Sequence, residues 1–194
     1  QELISGFHQL ELLDTDTPFG SKNEWHSNLN ELKKNIIANG GRKFLRFNVV
    51  QRTMFITYAD YTRKELKALR SRFDWNRWKK VLRESVVGLP TPYLLWPMSS
   101  SNLIHHAYHV SRWEDRTQKL VTDVPVVIEF GGGYGSMCRL FHELGFHGLY
   151  VIYDFPHFSK IQTYFFKSLG YKCLTLSEAC KGEKGFVCLS SVDE

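Results

Sequence analysis

The residues Glu129-Phe130-Gly131-Gly132-Gly133-Tyr134-Gly135 set a carboxylate behind a short apolar run and follow it with alternating glycines. Such a turn lets a ligand approach the backbone because Cβ atoms are absent. A helix beginning there would point its free N–H groups and positive dipole end at the same spot. Two cofactor classes use this device. Dinucleotide sites take G-x-G-x-x-G, whose third small residue packs helix on strand. Counted from Gly131, that position is Ser136, an imperfect match. Sites for S-adenosylmethionine (SAM) take acid-x-G-x-G-x-G, and Glu129, Gly131, Gly133 and Gly135 match at every position. SAM carries a cationic ammonium group and no pyrophosphate. A carboxylate at the strand end attracts the first and repels the second, so the sign of charge favours SAM over a nicotinamide dinucleotide.

Asp154 is the second signal, 19 residues after Gly135 at the end of another apolar run. There it can accept hydrogen bonds from both ribose hydroxyls of a nucleoside lying across the strand ends, with Phe155 flanking the base. Methyl transfer to a hydroxyl also needs positioning and a proton acceptor. His105 and His109 are spaced i, i+4 and share a helix face with Arg112 and Arg116, which makes them the candidate catalytic pair. Their spacing also suits a metal, but no carboxylate joins at matching spacing, so no metal is assigned. His157 is a second candidate base near the cofactor edge. His142 and His147 are expected away from it.

These residues need elements to hold them. Val126-Val127-Ile128 reads as a strand buried on both faces. A helix over about 135–145, a strand at 148–153, a helix over 158–169, and strands at 172–175 and 186–189 follow. Strands alternating with helices imply a parallel, doubly wound sheet. Upstream, residues 1–20 read as a loose lead-in. Ser21 and Glu24 have capping-box spacing ahead of a stripe of Trp25, Leu29, Leu32 and Ile36, and Gly40-Gly41 stops that helix. Residues 44–58 read as extended or irregular. Thr62 and Glu65 repeat the capping spacing before Leu66, Leu69 and Phe73, and Asp74 caps a helix carrying Trp75, Trp78 and Leu82. The aromatic stripes read as core. Gly88-Leu89-Pro90 is a break, and Ser99-Ser100-Ser101-Asn102 offers N-caps for a helix over about 101–118. The chain thus divides into a basic helical region, 1–120, and a Rossmann-like SAM-binding unit, 121–194.

The string Val127 to Gly135, followed by Tyr150-Val151-Ile152-Tyr153-Asp154-Phe155-Pro156, resembles the sugar O-methyltransferases, a class I SAM-dependent group. Ser101-Asn102-Leu103-Ile104-His105-His106-Ala107-Tyr108-His109 and Gly88-Leu89-Pro90 resemble that family's segments ahead of the Rossmann unit, so the resemblance covers about 40–175. It implies a Rossmann-like class I methyltransferase sheet and methyl transfer from SAM to a sugar hydroxyl of a glycan or glycan precursor. By carry-over, Glu129, Gly131, Gly132, Gly133, Tyr134, Gly135, Asp154 and Phe155 would hold SAM. A full class I sheet has seven strands, whereas this chain reaches about four. It begins at Gln1 and reads as a C-terminally incomplete piece. The fourth strand, normally beside the first and covered by the fifth, is then expected to leave an open edge at 186–190 that invites self-association.

Bulk properties bound the alternatives. The chain has 194 residues, 43% of them hydrophobic, enough for one domain with a helical extension. No run suits a membrane span. Cys138, Cys173, Cys180 and Cys188 form no C-x-x-C pair and read as buried free thiols of a reducing, cytoplasmic compartment. Net charge is +5, but residues 31–84 hold 15 Lys+Arg against 5 Asp+Glu. That basic stretch suits an anionic partner such as a phosphorylated sugar or acidic polysaccharide, with nucleic acid less favoured. The rivals to a glycan methyltransferase are an RNA or small-molecule methyltransferase, a truncated SAM-binding or interaction module without catalysis, and a nicotinamide-dependent oxidoreductase.

Overall fold

The computed structural model describes residues 1–13, 20–55 and 60–191. The expected lead-in contains a helix, α1 (Glu2–His8), whose Leu3 and Phe7 are buried. Next come α2 (Gly20–Asn39), a 3₁₀ turn at Phe44–Arg46, and α3 (Asn48–Met54). Most of residues 44–55, expected to be extended or irregular, are therefore in helical turns, with only Phe47 and Phe55 extended. Their aromatic and β-branched side chains favour a strand, but Phe44, Leu45, Val49 and Val50 all reach the core through helical turns, and packing overrides propensity. The rest of that expected stretch, and the side chain of Ser21, lie outside the described residues.

In α4 (Asp60–Arg70), α5 (Trp75–Val81) and α6 (Ser101–Thr117), several local expectations change. Thr62 sits inside α4 rather than at its start, so Thr62–Glu65 is no capping box. Phe73 falls beyond the helix end and is exposed. Asp74 precedes α5 but accepts no capping bond from the helix amides; its carboxylate accepts from Arg72 and from Trp78 Nε1 instead. Ser100 does cap α6, accepting from the Leu103 amide at 3.1 Å.

The second half alternates strand and helix. β1 (Val126–Phe130), α7 (Ser136–Glu143), β2 (Leu149–Tyr153), α8 (Pro156–Ser168), β3 (Cys173–Leu174), α9 (Leu176–Cys180) and β4 (Gly185–Leu189) build a parallel sheet in the order β1-β2-β4-β3. This α/β architecture is Rossmann-like. The order departs from the expectation for β4, which lies between β2 and β3 rather than beside β1. After α8 crosses the sheet, the two-residue β3 takes the outside position and the short return through α9 lays β4 against β2. β4 is therefore paired on both sides and leaves no open edge at 186–190; the sheet's edges among the described residues are β1 and the two-residue β3.

Register explains how β1 is exposed. Val127 pairs with Tyr150, and Tyr150 with Phe186, so these share the face packed against α7 and α8. Val126, Ile128 and Phe130 point to the other face, where Ile128 is 63% and Phe130 78% exposed. The apolar run of β1 is thus buried on one face only. The two βα crossovers, β1 to β2 and β2 to β3, advance in the same direction, and right-handed connections put both helices on one side.

Two cores hold the layers together. One joins Phe7, Leu29, Ile36 and Phe44 of the N-terminal helices to Tyr134, Cys138, Ile152 and Phe166, so packing is continuous across residue 120. The other joins Leu69, Trp78 and Leu82 to Leu103, Ile104 and Leu140. Basic residues of 31–84 are partly neutralised internally: Arg72 by Asp74 and Asp115, and Arg77 by Glu114. Cys180 is exposed, unlike the buried Cys138. No helix among the described residues is long and apolar enough to cross a membrane.

Candidate functional site

A cleft of about 470 Å³ opens at the carboxyl ends of β1 and β2, bounded by Gly131, Gly132, Gly133, Glu129 and Asp154. This is the end of a parallel sheet at which α/β folds bind ligands. Gly131, Gly133 and Gly135 all have positive φ, at +73°, +56° and +93°. A side chain in that region is strained, which is why glycine recurs at alternate positions. The three face different surroundings. A Cβ at Gly131 would meet nothing within 4 Å, whereas one at Gly135 would lie 2.4 Å from the Phe166 ring. Gly131 leaves the cleft open; Gly135 lets α7 close on α8.

Asp154 ties the loop to β2. One carboxylate oxygen accepts from the Gly133 amide at 3.0 Å and from Gln162 Nε2 at 3.1 Å, and the other accepts from the Phe155 amide at 2.8 Å. Only 8% exposed, the side chain is pushed up to about pKa 6 by burial, against the pull of its hydrogen bonds. Asp154 therefore already works as a turn cap and a loop tether while it lines the cleft. Glu129 accepts from the Tyr150 hydroxyl at 3.0 Å. Burial, reinforced by the nearby charge of Asp154, raises its pKa above the ordinary carboxylate range. Two carboxylates share one cleft, and a cation between them would relieve both.

At the cleft mouth Phe155 and Trp25 are both exposed, with ring centroids 6.1 Å apart. Trp25 thus does not belong to the core stripe of α2; it and Phe155 make an apolar jaw. Tyr134 is turned inward, stacked on Phe55 with Asn102 Nδ2 donating to its hydroxyl at 3.4 Å.

His105 and His109 do not line this cleft. At i and i+4 they share a face of α6, as expected, but His105 is engaged by Glu65 of α4 at 2.8 Å, and His109 borders a separate groove beside β1. Three residues earlier on the same helix, Asn102 and His106 have the same i, i+4 relation and do line the cleft. Burial holds His106 neutral, with its pKa down at about 4, and its Nδ1 has no partner. The pairs are offset by three residues, which at 3.6 residues per turn sets them about 60° apart round the helix, and no local sequence signal chooses between them. Gln162, which braces Asp154, carries no motif either. His157 is buried edge-on against Phe7 and does not border the cleft. His142 packs on Tyr171, away from the strand ends.

No protein-family model matches the chain, and no match to it was found among curated proteins or solved structures.

Proposed function

We propose that the chain binds SAM and belongs to a methyltransferase whose acceptor is a sugar hydroxyl. The observation that carries the reading is the pair of carboxylates, half-buried Glu129 and buried Asp154, set at the ends of adjacent strands across an open left-handed glycine turn. That cleft suits a nucleoside bearing positive charge. It opposes a pyrophosphate, because two carboxylates would face it. The fit extends to Gly131, where the space a Cβ would occupy is empty. Glu129 would hold the ammonium end, Asp154 the ribose hydroxyls, and the jaw of Trp25 and Phe155 the adenine.

SAM supplies an electrophilic methyl group. The chain's own part is to orient and to hold protons. Asp154, fixed by three hydrogen bonds, has little freedom to lose on binding a ribose. His106 presents a neutral imidazole as a hydrogen-bond acceptor at the cleft wall, where it can orient an acceptor hydroxyl. The glycan assignment rests on the resemblance of the Glu129–Gly135 and Tyr150–Pro156 strings to sugar O-methyltransferases.

Titration calorimetry with SAM, S-adenosylhomocysteine and NAD⁺ tests the reading. Saturable binding of the first two and none of NAD⁺ is expected. Binding of NAD⁺ in preference to SAM, or of neither, refutes it.

A further inference from the structure

Away from the cleft, α4 and α6 bring three metal-ligating side chains together. Glu65, His105 and His109 each offer a ligand atom, and these atoms all lie within 4.8 Å of one another. Glu65 is buried, an expensive place for a carboxylate. Among the described residues its hydrogen-bond partner is His105 Nδ1 at 2.8 Å, and its Oε2 is buried with no partner. The two imidazoles stand nearly perpendicular with ring centroids 4.3 Å apart. His109 is the exposed member.

We infer that Glu65, His105 and His109 form a zinc site that clamps α4 to α6, with a fourth coordination position open to solvent beside His109. Two imidazoles and a carboxylate are a ligand set of open zinc sites, and the i, i+4 histidines supply two ligands from one helix face. Bonds of about 2.0–2.1 Å in a tetrahedron put ligand atoms roughly 3.3 Å apart, so the cluster needs to contract by no more than about 1.5 Å. Glu65 and His105 are already closer than that, and the exposed His109 has room to swing in. The cation would compensate the buried carboxylate and satisfy Oε2, which nothing else among the described residues does. Sequence spacing on α6 misses the site because the carboxylate comes from another helix.

Zinc here would also hold α6 in place, and α6 carries Asn102 and His106 to the cleft. The site itself stands independently of what the cleft binds.

The test uses the chain stripped with chelator and then titrated with Zn²⁺ or Co²⁺. One equivalent of Co²⁺ should give the intense visible absorption of a tetrahedral nitrogen–oxygen site, without the near-ultraviolet charge-transfer band of a thiolate. Zn²⁺ should bind at one site and raise Tm. His109→Ala, at an exposed position, should keep the fold and weaken Zn²⁺ binding at least about tenfold, and Glu65→Gln should do the same with its shape conserved. A thiolate band, which would point to Cys180, overturns the proposal. So does affinity unchanged in both variants, or no binding at all.

Discussion

Gly131 and Gly135 share a backbone conformation but not an environment, and substituting alanine separates binding from packing. In Gly131→Ala the methyl enters open space. The left-handed backbone costs about 1–2 kcal/mol, and roughly 0.4–1 kcal/mol is recovered because the unfolded chain loses freedom. The net is about 1 kcal/mol, which for a chain of this size lowers Tm by about 2–4 °C. Gly135→Ala meets the same backbone cost and also drives a methyl to 2.4 Å from the Phe166 ring in a filled core. Overpacking adds about 1–3 kcal/mol, so Tm should fall by roughly 4–16 °C. Binding should rank the variants the other way. A methyl at Gly131 stands where the ligand must approach, and Kd for SAM should rise at least about tenfold, or ~1.4 kcal/mol. In Gly135→Ala the folded fraction should bind SAM with near wild-type affinity. Differential scanning fluorimetry and calorimetry on the same preparations give both quantities. Equal stability losses, or a Gly131→Ala variant that binds SAM normally, would refute the assignment of Gly131 to the cleft.

Three further outcomes are expected. Asp154→Ala should lower both Tm and SAM affinity, because the carboxylate tethers Gly133 and caps Phe155 as well as facing the ligand. Asp154→Asn turns one of the two accepting oxygens into a donor facing an N–H, so it should also lower both, and a variant that loses Tm alone would make the residue a cap only. With Asp154 raised to about 6 from an ordinary 3.8, the folded state holds this proton more tightly than the unfolded chain. Relative to Asp154→Asn, wild-type stability should therefore fall as pH rises from about 4 to 6, while SAM affinity rises through the same window as the carboxylate ionises; calorimetry and melting across pH 4–8 check both signs. Ile128→Lys and Phe130→Lys, on the uncovered face of β1, should reduce self-association in light scattering with little change in Tm, and association unaffected by both would show that this face is not sticky.

The loop and strand ends were legible from sequence because local chemistry dictates them. Three left-handed positions need glycine, and a short apolar run ending in a carboxylate reads as a strand entering a turn. Sheet order was not legible: the placing of β4 against β2 depends on where a short return settles after α8, which no residue in 181–185 announces. Which face of α6 meets the cleft was not legible for a similar reason. His105/His109 and Asn102/His106 have equal helical spacing, and only the packing of α4 decides which pair turns to the cleft. Glu65 showed the opposite failure. A plausible capping residue by spacing, it proved to be a buried partner for a histidine 40 positions away.

The open edge of β1 bears on how the cleft would breathe. The Gly131 amide bonds inward to the Tyr153 carbonyl, so by alternation the amides of Ile128 and Phe130 face outward, away from β2. The strand that carries Glu129 and the glycine turn is thus hydrogen-bonded along one side only. Hydrogen exchange should find β1 less protected than β2, which is paired on both sides. A ligand spanning Glu129 and Asp154 would cross-link the looser strand to the firmer one. Its binding would then register as slowed exchange at Val127, Glu129 and Gly131, with the outward amides of the same strand left fast.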